Sequence, residues 1–287
     1  MTTETQTRPA PPAPRTRNGN GNAKPHTPPV RGKVAFGKIV PGVGHRIVLF
    51  GPGGIGKTTL AASAPGPVAF IDLDDSLSVL GEQLADYDVR PVTGCNVWTD
   101  LRAAINSDGW DDIKTIVIDS ATRSEELTGD WVLANVPHEK GNKINRIEDY
   151  GYGKGYVHIY EEFLKLLGDL DRHMRAGRHV VLICHDCVTT VPNPTGDDWI
   201  RYEPRLQSPA SGKSAIRLRT REWADHLLFL GYDVSVKDGK ATGSSTRTIY
   251  PNELPHCMAK SRTLDEPIPL DKNSTELWDR LFGTNGK

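Results

Sequence analysis

The chain has 287 residues and a formal net charge of -1, with 37% hydrophobic and 7% aromatic residues. That suits one large domain with extensions, and the balanced charge gives no evidence for nucleic acid while leaving room for a local basic patch. No apolar run is long enough for a bilayer, no apolar leader resembles a secretory signal, and 4 cysteines in this length make no disulfide scaffold, so no membrane partner and a reducing cytoplasm are expected.

Residues 1–33 are rich in Pro, Thr, Asn and Gly, and Arg8, Arg15, Arg17, Lys24 and Arg31 face a single acid, Glu4. Such a segment buries too little to offset its ordering entropy, so a disordered basic tail is expected. It is either a solubilising leader or a loose hold on a nucleic-acid backbone. Residues 34–287 read as the folded domain, with a C-terminal extension from about 251. Val34–Val40 offers a short strand, Pro41–Gly44 a turn, and Ile47–Phe50 the first core strand.

The stretch Arg46–Leu60, RIVLFGPGGIGKTTL, fills the pattern G-x-x-x-x-G-K-[ST] at every fixed position. The candidate phosphate-binding residues are Gly51, Pro52, Gly53, Gly54, Ile55, Gly56, Lys57, Thr58 and Thr59. Glycines let the backbone curl with its N–H groups inward, where they and the next helix hold phosphates. Lys57 is expected to reach the β- and γ-phosphates, and the Thr58 hydroxyl to ligate Mg²⁺.

Pro65-Gly66-Pro67 ends the helix after the loop early. Val68–Ile71 is a second strand, running into Asp72, Asp74 and Asp75. Helices are expected over Ser78–Tyr87 and Trp98–Ile105. Thr115–Ile118 is a third strand with Asp119-Ser120 at its end, and a helix follows from about Ser124 to Ala134. Pro137–Gly155 reads as a long loop. In Tyr156–Arg175 the residues Val157, Tyr160, Phe163, Leu164, Leu167 and Leu170 recur at three and four, which predicts an amphipathic helix. His179–Cys184 is the fourth strand. Val188–Ser214 carries four prolines and a possible hairpin around Trp199–Leu206. Leu227–Leu230 is a fifth core strand, which Tyr232–Val236 extends. Asp238-Gly239 marks a turn, Arg247–Tyr250 pairs back antiparallel, and Thr275–Phe282 is a terminal helix.

Strands alternating with helices predict an α/β fold with a mainly parallel central sheet flanked by helices and a late antiparallel hairpin. Ligands of such sheets sit beyond the strand C-termini, and the polar signals gather there. Asp119 is the candidate acid for Mg²⁺, alongside Thr58; its alternative is an ordinary helix-capping Asp. Asp74 is the candidate base for an attacking water, with Asp75 as a rival and Asp72 either orienting Asp74 or capping a turn. His185 is a candidate γ-phosphate sensor or a plain surface histidine. Cys184, His185 and Cys187 also invite a zinc reading, but a structural site needs four ligands and Cys184 is expected to face the core.

Farther on, Lys213, Arg217, Arg219 and Arg221 alternate along Ser211–Arg221 as if on one strand face. Arg217 and Arg219 are the candidates to complete the site, in cis, from a neighbouring subunit, or as contacts to a nucleic-acid backbone. The alternative is a solvated strand edge. Trp199, Arg201, Tyr202 and Arg205 mix rings and charge, fitting either a single-strand surface or a packed hairpin. The Gly- and Tyr-rich run Tyr150–Tyr156 is a candidate mobile loop.

Together, FGPGGIGKTT, AFIDLDDSL, TIVIDSAT, YGYGKGY and VVLICHDCV resemble the phage-type P-loop ATPases of the AAA_24 family, which are similar to RecA-fold annealing or recombination proteins of the Sak4 type. The resemblance covers about Gly37–Tyr250. It implies a RecA-like P-loop NTPase core, ATP and Mg²⁺ as ligands, and ATP hydrolysis in single-stranded DNA recombination or annealing. It further implies a homo-oligomer, a single-strand DNA-binding protein as partner, and, for a phage protein, the host cytoplasm. In RecA-like enzymes a Glu commonly stands where Asp74 stands here, and basic residues of a late strand in that fold touch ATP across a subunit interface, the role offered to Arg217 or Arg219. A small-molecule phosphotransferase and a non-hydrolysing nucleotide-binding scaffold are the competing classes.

Overall fold

Most core strands are nearly uninterrupted apolar runs, the pattern of strands covered on both faces. The computed structural model describes residues 34–38, 43–193, 195–209, 212–237, 240–272 and 274–283. By internal contacts the chain divides into residues 1–39 and 40–287. In the first, residues 34–38 are exposed and form no strand, contrary to the expectation over Val34–Val40. The expected tail over 1–33, residues 39–42 of the expected strand and turn, and the turn at Asp238-Gly239 lie outside the described residues.

In the second unit the elements follow as β1 Arg46–Phe50, α1 Lys57–Ala62, β2 Val68–Asp72, α2 Leu77–Leu84, β3 Val89–Pro91, α3 Trp98–Asn106, β4 Thr115–Asp119 and α4 Ala121–Asn135. A 3₁₀ turn, Ile147–Tyr150, leads into α5 Lys154–Arg175, β5 His179–Cys184, β6 Asp186–Val191, β7 Trp199–Pro204 and α6 Ile216–Trp223. Then come β8 His226–Lys237, β9 Lys240–Tyr250, β10 Ile268–Pro269 and α7 Glu276–Phe282. The main sheet runs β10-β9-β8-β1-β5-β4-β2-β3. Its pairings from β8 to β3 are parallel, while β8–β9 and β9–β10 are antiparallel. The fold is therefore the expected α/β arrangement, a mainly parallel sheet between helices with a late antiparallel hairpin. A second hairpin, β6–β7, stands apart as its own two-stranded sheet, at the stretch expected around Trp199–Leu206.

Each sheet face buries its own apolar layer. One contains Trp98 and Leu101 of α3 with Phe163, Leu166 and Leu170 of α5. The other contains Leu60 and Ala61 of α1 with Leu277 and Trp278 of α7. The Trp278 indole donates to the Leu60 carbonyl at 3.0 Å, tying the terminal helix to the helix that follows the glycine loop. This double burial, at about 25 cal/mol per Å² of apolar surface, holds the strand ends in register.

One expectation fails in type. Ile216–Trp223 is a helix, so Arg217, Arg219 and Arg221 do not alternate on a strand face. Ile216, Thr220 and Trp223 are buried at three- and four-residue spacing, and that helical period overrides the alternation of charges.

Candidate functional site

Parallel register sets the site. Asp72 of β2 lies opposite Asp119 of β4, Asp119 opposite Ile183 of β5, and Cys184 opposite Phe50 of β1. The chain therefore leaves β1, β2, β4 and β5 at one rim, with the glycine loop, the acids and His185 next to each other. Two loop glycines are required by geometry. Gly51 has φ 150°, and a Cβ there would stand 2.2 Å from the Leu230 carbonyl oxygen of β8. Gly56 has φ 106°, and its Cβ would come within 2.8 Å of Arg247.

Lys57 opens α1 and is only 8% exposed. Its ammonium donates to the carbonyls of Gly51 at 2.6 Å and Pro52 at 2.9 Å, curling back over the loop. Burial lowers its pKa, and the nearby acids Asp186 and Asp119 oppose that fall. Thr58 donates its hydroxyl to Asp119 Oδ2 at 2.7 Å, and Ser76 reaches the same oxygen at 3.3 Å. Asp119 is 4% exposed. Burial pushes its pKa up, the Thr58 hydrogen bond pulls it down, and the charges of Asp74 and Asp72 push it up again.

A buried carboxylate beside a threonine hydroxyl and a cluster of like charges suits a divalent cation, which offsets the desolvation. Among the described residues no group of three His, Cys, Asp or Glu is placed to hold a metal alone. Mg²⁺ needs none, because it is commonly held by one or two protein oxygens together with phosphates and water. Thr58 and Asp119 fit that donor set. The zinc reading finds no such cluster, and Cys184 is fully buried in the core.

The three acids after β2 separate by partner. Asp72 accepts from the Ser76 amide at 3.0 Å, the Ser76 hydroxyl at 3.1 Å and the Leu77 amide at 2.8 Å, so it caps the start of α2. Asp75 is exposed in a left-handed backbone with φ 54°. Asp74 lies 3.2 Å from His185 Nε2, with both side chains partly open to solvent. The candidate base and candidate sensor are therefore one pair. The His185 backbone is fixed as well: its amide donates to Thr122 of α4 at 3.1 Å, and its carbonyl accepts from Arg205 after β7 at 2.8 Å.

The two α6 arginines are engaged elsewhere. Arg217 is ion-paired to Glu203 and donates to the Leu206 carbonyl at 3.1 Å. Arg219 pairs with Glu222 on the helix surface at 3.2 Å. The guanidinium that does reach the glycine loop is that of Arg247, on β9, which donates to the Ile55 carbonyl at 2.9 Å. Reasoning from the sequence gave Arg247 no role. Its signal was a basic residue on the strand pairing with β8, opposite Tyr232, and so two strands from β1 in the sheet. Gly56, Thr59, Asp86, Tyr87, Arg247 and Lys272 line part of a cavity of about 570 Å³ next to the loop, large enough for a base and sugar.

A family model described as AAA domain, AAA_24, matches residues 44–263. Among solved structures the chain is similar to a KaiC-like protein of the hyperthermophilic archaeon Pyrococcus horikoshii, with 17% identity and a TM-score of 0.41 over 80% of this chain and 86% of that one. It is also similar to the flagellar accessory protein FlaH of Methanocaldococcus jannaschii, with 11% identity and a TM-score of 0.34 over 72% and 77% of the two chains. No curated protein matches it. No helix among the described residues is long and apolar enough to cross a membrane.

Proposed function

This chain belongs to the AAA_24 family, and from that premise we propose that it hydrolyses ATP to ADP and phosphate while acting on single-stranded DNA in recombination or annealing. The nucleotide-binding part is a P-loop NTPase core. The observation that carries the reading is the contact of Thr58 with the buried Asp119 at 2.7 Å, beside a loop closed by Lys57.

Mg²⁺, when bound, supplies positive charge to the phosphate oxygens. Thr58 and Asp119 are the residues that would hold it. Lys57 leaves the Gly51 and Pro52 carbonyls and turns its ammonium to the phosphates. The loop amides and Arg247 position the phosphate chain, and the cavity by Tyr87 takes the base. Asp74 accepts the proton of the attacking water, with His185 fixing the carboxylate. Through its backbone bonds to Thr122 and Arg205, His185 links that event to α4 and the β6–β7 hairpin. We read the working form as a homo-oligomer whose copies meet over the open side of the loop, where Gly53 and Gly54 are exposed. Arg219, on the outer surface of α6, is then the arginine suited to reach a neighbour, whereas Arg217 is committed within its own chain. A single-strand DNA-binding protein is the proposed partner.

A second reading, nucleotide binding without efficient turnover, is favoured by one observation: Asp74 is already engaged by His185. Phosphate release with and without single-stranded DNA, for the parent, Lys57→Ala and Asp74→Ala, separates the two. DNA-stimulated release that both substitutions abolish, with ATP binding retained in Asp74→Ala, is expected. Equal turnover in all three proteins would remove the site assignment.

A further inference from the structure

A second cavity, of about 440 Å³, opens beside the glycine loop and shares no lining residue with the one assigned to the nucleotide base. Its walls are rings: Pro52 of the loop, Tyr202 of β7, Phe229 and Tyr232 of β8, Tyr250 of β9, and His256. Tyr202 lies over Phe229 with centroids 5.2 Å apart and planes at 17°. Phe229 and Tyr250 continue the stack at 6.0 Å and 29°, and His256 meets Tyr250 edge-on at 5.4 Å. Gly231 makes this possible, since a Cβ there would stand 2.7 Å from the Phe229 ring. Tyr202 is anchored by its backbone, accepting from the Met258 amide at 2.9 Å and donating to the His256 carbonyl at 2.8 Å. At the rim, Tyr232 is 43% and Tyr202 37% exposed, so aromatic surface faces solvent.

We propose that this cavity stacks one unpaired base of single-stranded DNA, and that Pro52 couples its occupancy to the phosphate site. The inference rests on the reading of the chain as a DNA-acting ATPase and names where the DNA is held. Four features select a base. Tyr202, Phe229 and Tyr250 are near-parallel and offer π-faces, the volume holds one nucleoside, the edge-on His256 ring and tyrosine hydroxyls can meet polar base edges, and the rim is open to a strand. The coupling follows from Lys57. Its ammonium donates to the Pro52 carbonyl at 2.9 Å. When Lys57 turns to phosphate, that carbonyl keeps only the longer bond from the Ile55 amide at 3.4 Å, and the proline that walls the cavity can shift. Each ligand therefore alters the other's site.

An oligodeoxynucleotide carrying 2-aminopurine tests this, by base fluorescence and anisotropy, with and without MgATP. The parent and Tyr232→Ala, Tyr232→Phe and Tyr202→Ala are compared, each checked for folding by its melting temperature. Loss of one stacked base lowers affinity roughly 5- to 150-fold. That loss is expected in Tyr232→Ala, with recovery in Tyr232→Phe and a change in parent affinity on adding MgATP. Oligonucleotide binding that is absent in the parent, or unchanged in Tyr232→Ala and Tyr202→Ala, overturns the proposal. So does a loss of self-association in sedimentation with no loss of DNA affinity, which makes the rings a subunit contact. A fall in MgATP affinity in the Tyr232→Ala protein without DNA assigns the cavity to the nucleotide's own base and likewise overturns it. If the parent binds no MgATP yet holds the oligonucleotide in a Tyr232-dependent way, the ATPase reading falls and the base site stands.

Discussion

Lys57→Met separates the two things this lysine does. The ammonium is buried and its charged form is disfavoured by desolvation, offset by two carbonyl contacts and the nearby acids Asp186 and Asp119. Methionine keeps most of the apolar stem and removes the charge, so the empty protein is expected to melt within a few degrees of the parent or above it. With nucleotide the balance reverses. A charge-assisted hydrogen bond to phosphate contributes about 1.5–3 kcal/mol, which is about a 10- to 150-fold loss of affinity when it is removed. At a ligand concentration about 100 times the parent Kd, binding stabilises the folded state by about 2.7 kcal/mol. For a domain of this size that is a rise of about 5–11 °C in melting temperature. The variant at the same concentration is expected to show a rise of about 1–5 °C. Differential scanning fluorimetry against MgATP concentration reads both numbers in one experiment. An equal shift in parent and variant would refute the placement of phosphate against Lys57. A variant that melts far below the parent without nucleotide would refute the claim that this charge is held there against its own desolvation.

Acid stability has two opposed contributions. Burial depresses His226 and His179 to about 4, from 6.5, so between those values the unfolded chain binds protons that the folded one refuses, and stability falls as pH falls. Burial raises Glu125 to about 7, from 4.5, so its contribution to stability is present below 4.5 and is lost as pH rises through 7. Each of the three groups contributes about 3 kcal/mol across this range, two against stability and one for it, leaving a net loss of about 3 kcal/mol from pH 7 to pH 4. In Glu125→Gln the compensation is gone, and the same pH series is expected to show about twice the drop in melting temperature; an identical drop would remove Glu125 from the account. Arg247→Ala removes the guanidinium that holds the Ile55 carbonyl, and MgATP affinity measured by titration is expected to fall roughly 10-fold, within the range for hydrogen bonds to charged groups. Arg219→Ala is expected to leave affinity unchanged in dilute protein, where no neighbouring copy is present, so an equal effect of the two substitutions would contradict the roles given to them.

What could be read from the sequence was whatever is encoded locally. The glycine loop announces itself because only glycine tolerates the left-handed backbone at Gly56 and the approach to Leu230 at Gly51. The strands β1, β2, β4 and β5 announce themselves because double burial demands continuous apolar runs, and the residues following such runs fall at one rim by topology alone. That reasoning placed Asp72, Asp74, Asp119 and His185 together, and the register of β2, β4 and β5 is the physical reason it worked. It named Asp74 over Asp75 and offered Asp72 a capping role, but what separates the three lies in hydrogen bonds: Asp72 caps α2, and Asp74 faces His185. It mistook α6 for a strand because Arg217, Arg219 and Arg221 alternate, when the buried Ile216, Thr220 and Trp223 carry the helical period. Arg247 was invisible for a different reason. It lies 192 residues from Ile55 in sequence, and nothing local to RTIY speaks of phosphate. Its position depends on β8 pairing with β1 and on β9 folding back against β8 opposite Tyr232. The guanidinium that meets the glycine loop thus comes from the strand hairpin that closes the sheet, and a basic residue there is found by following strand order outward from the loop, not by counting charges along the chain.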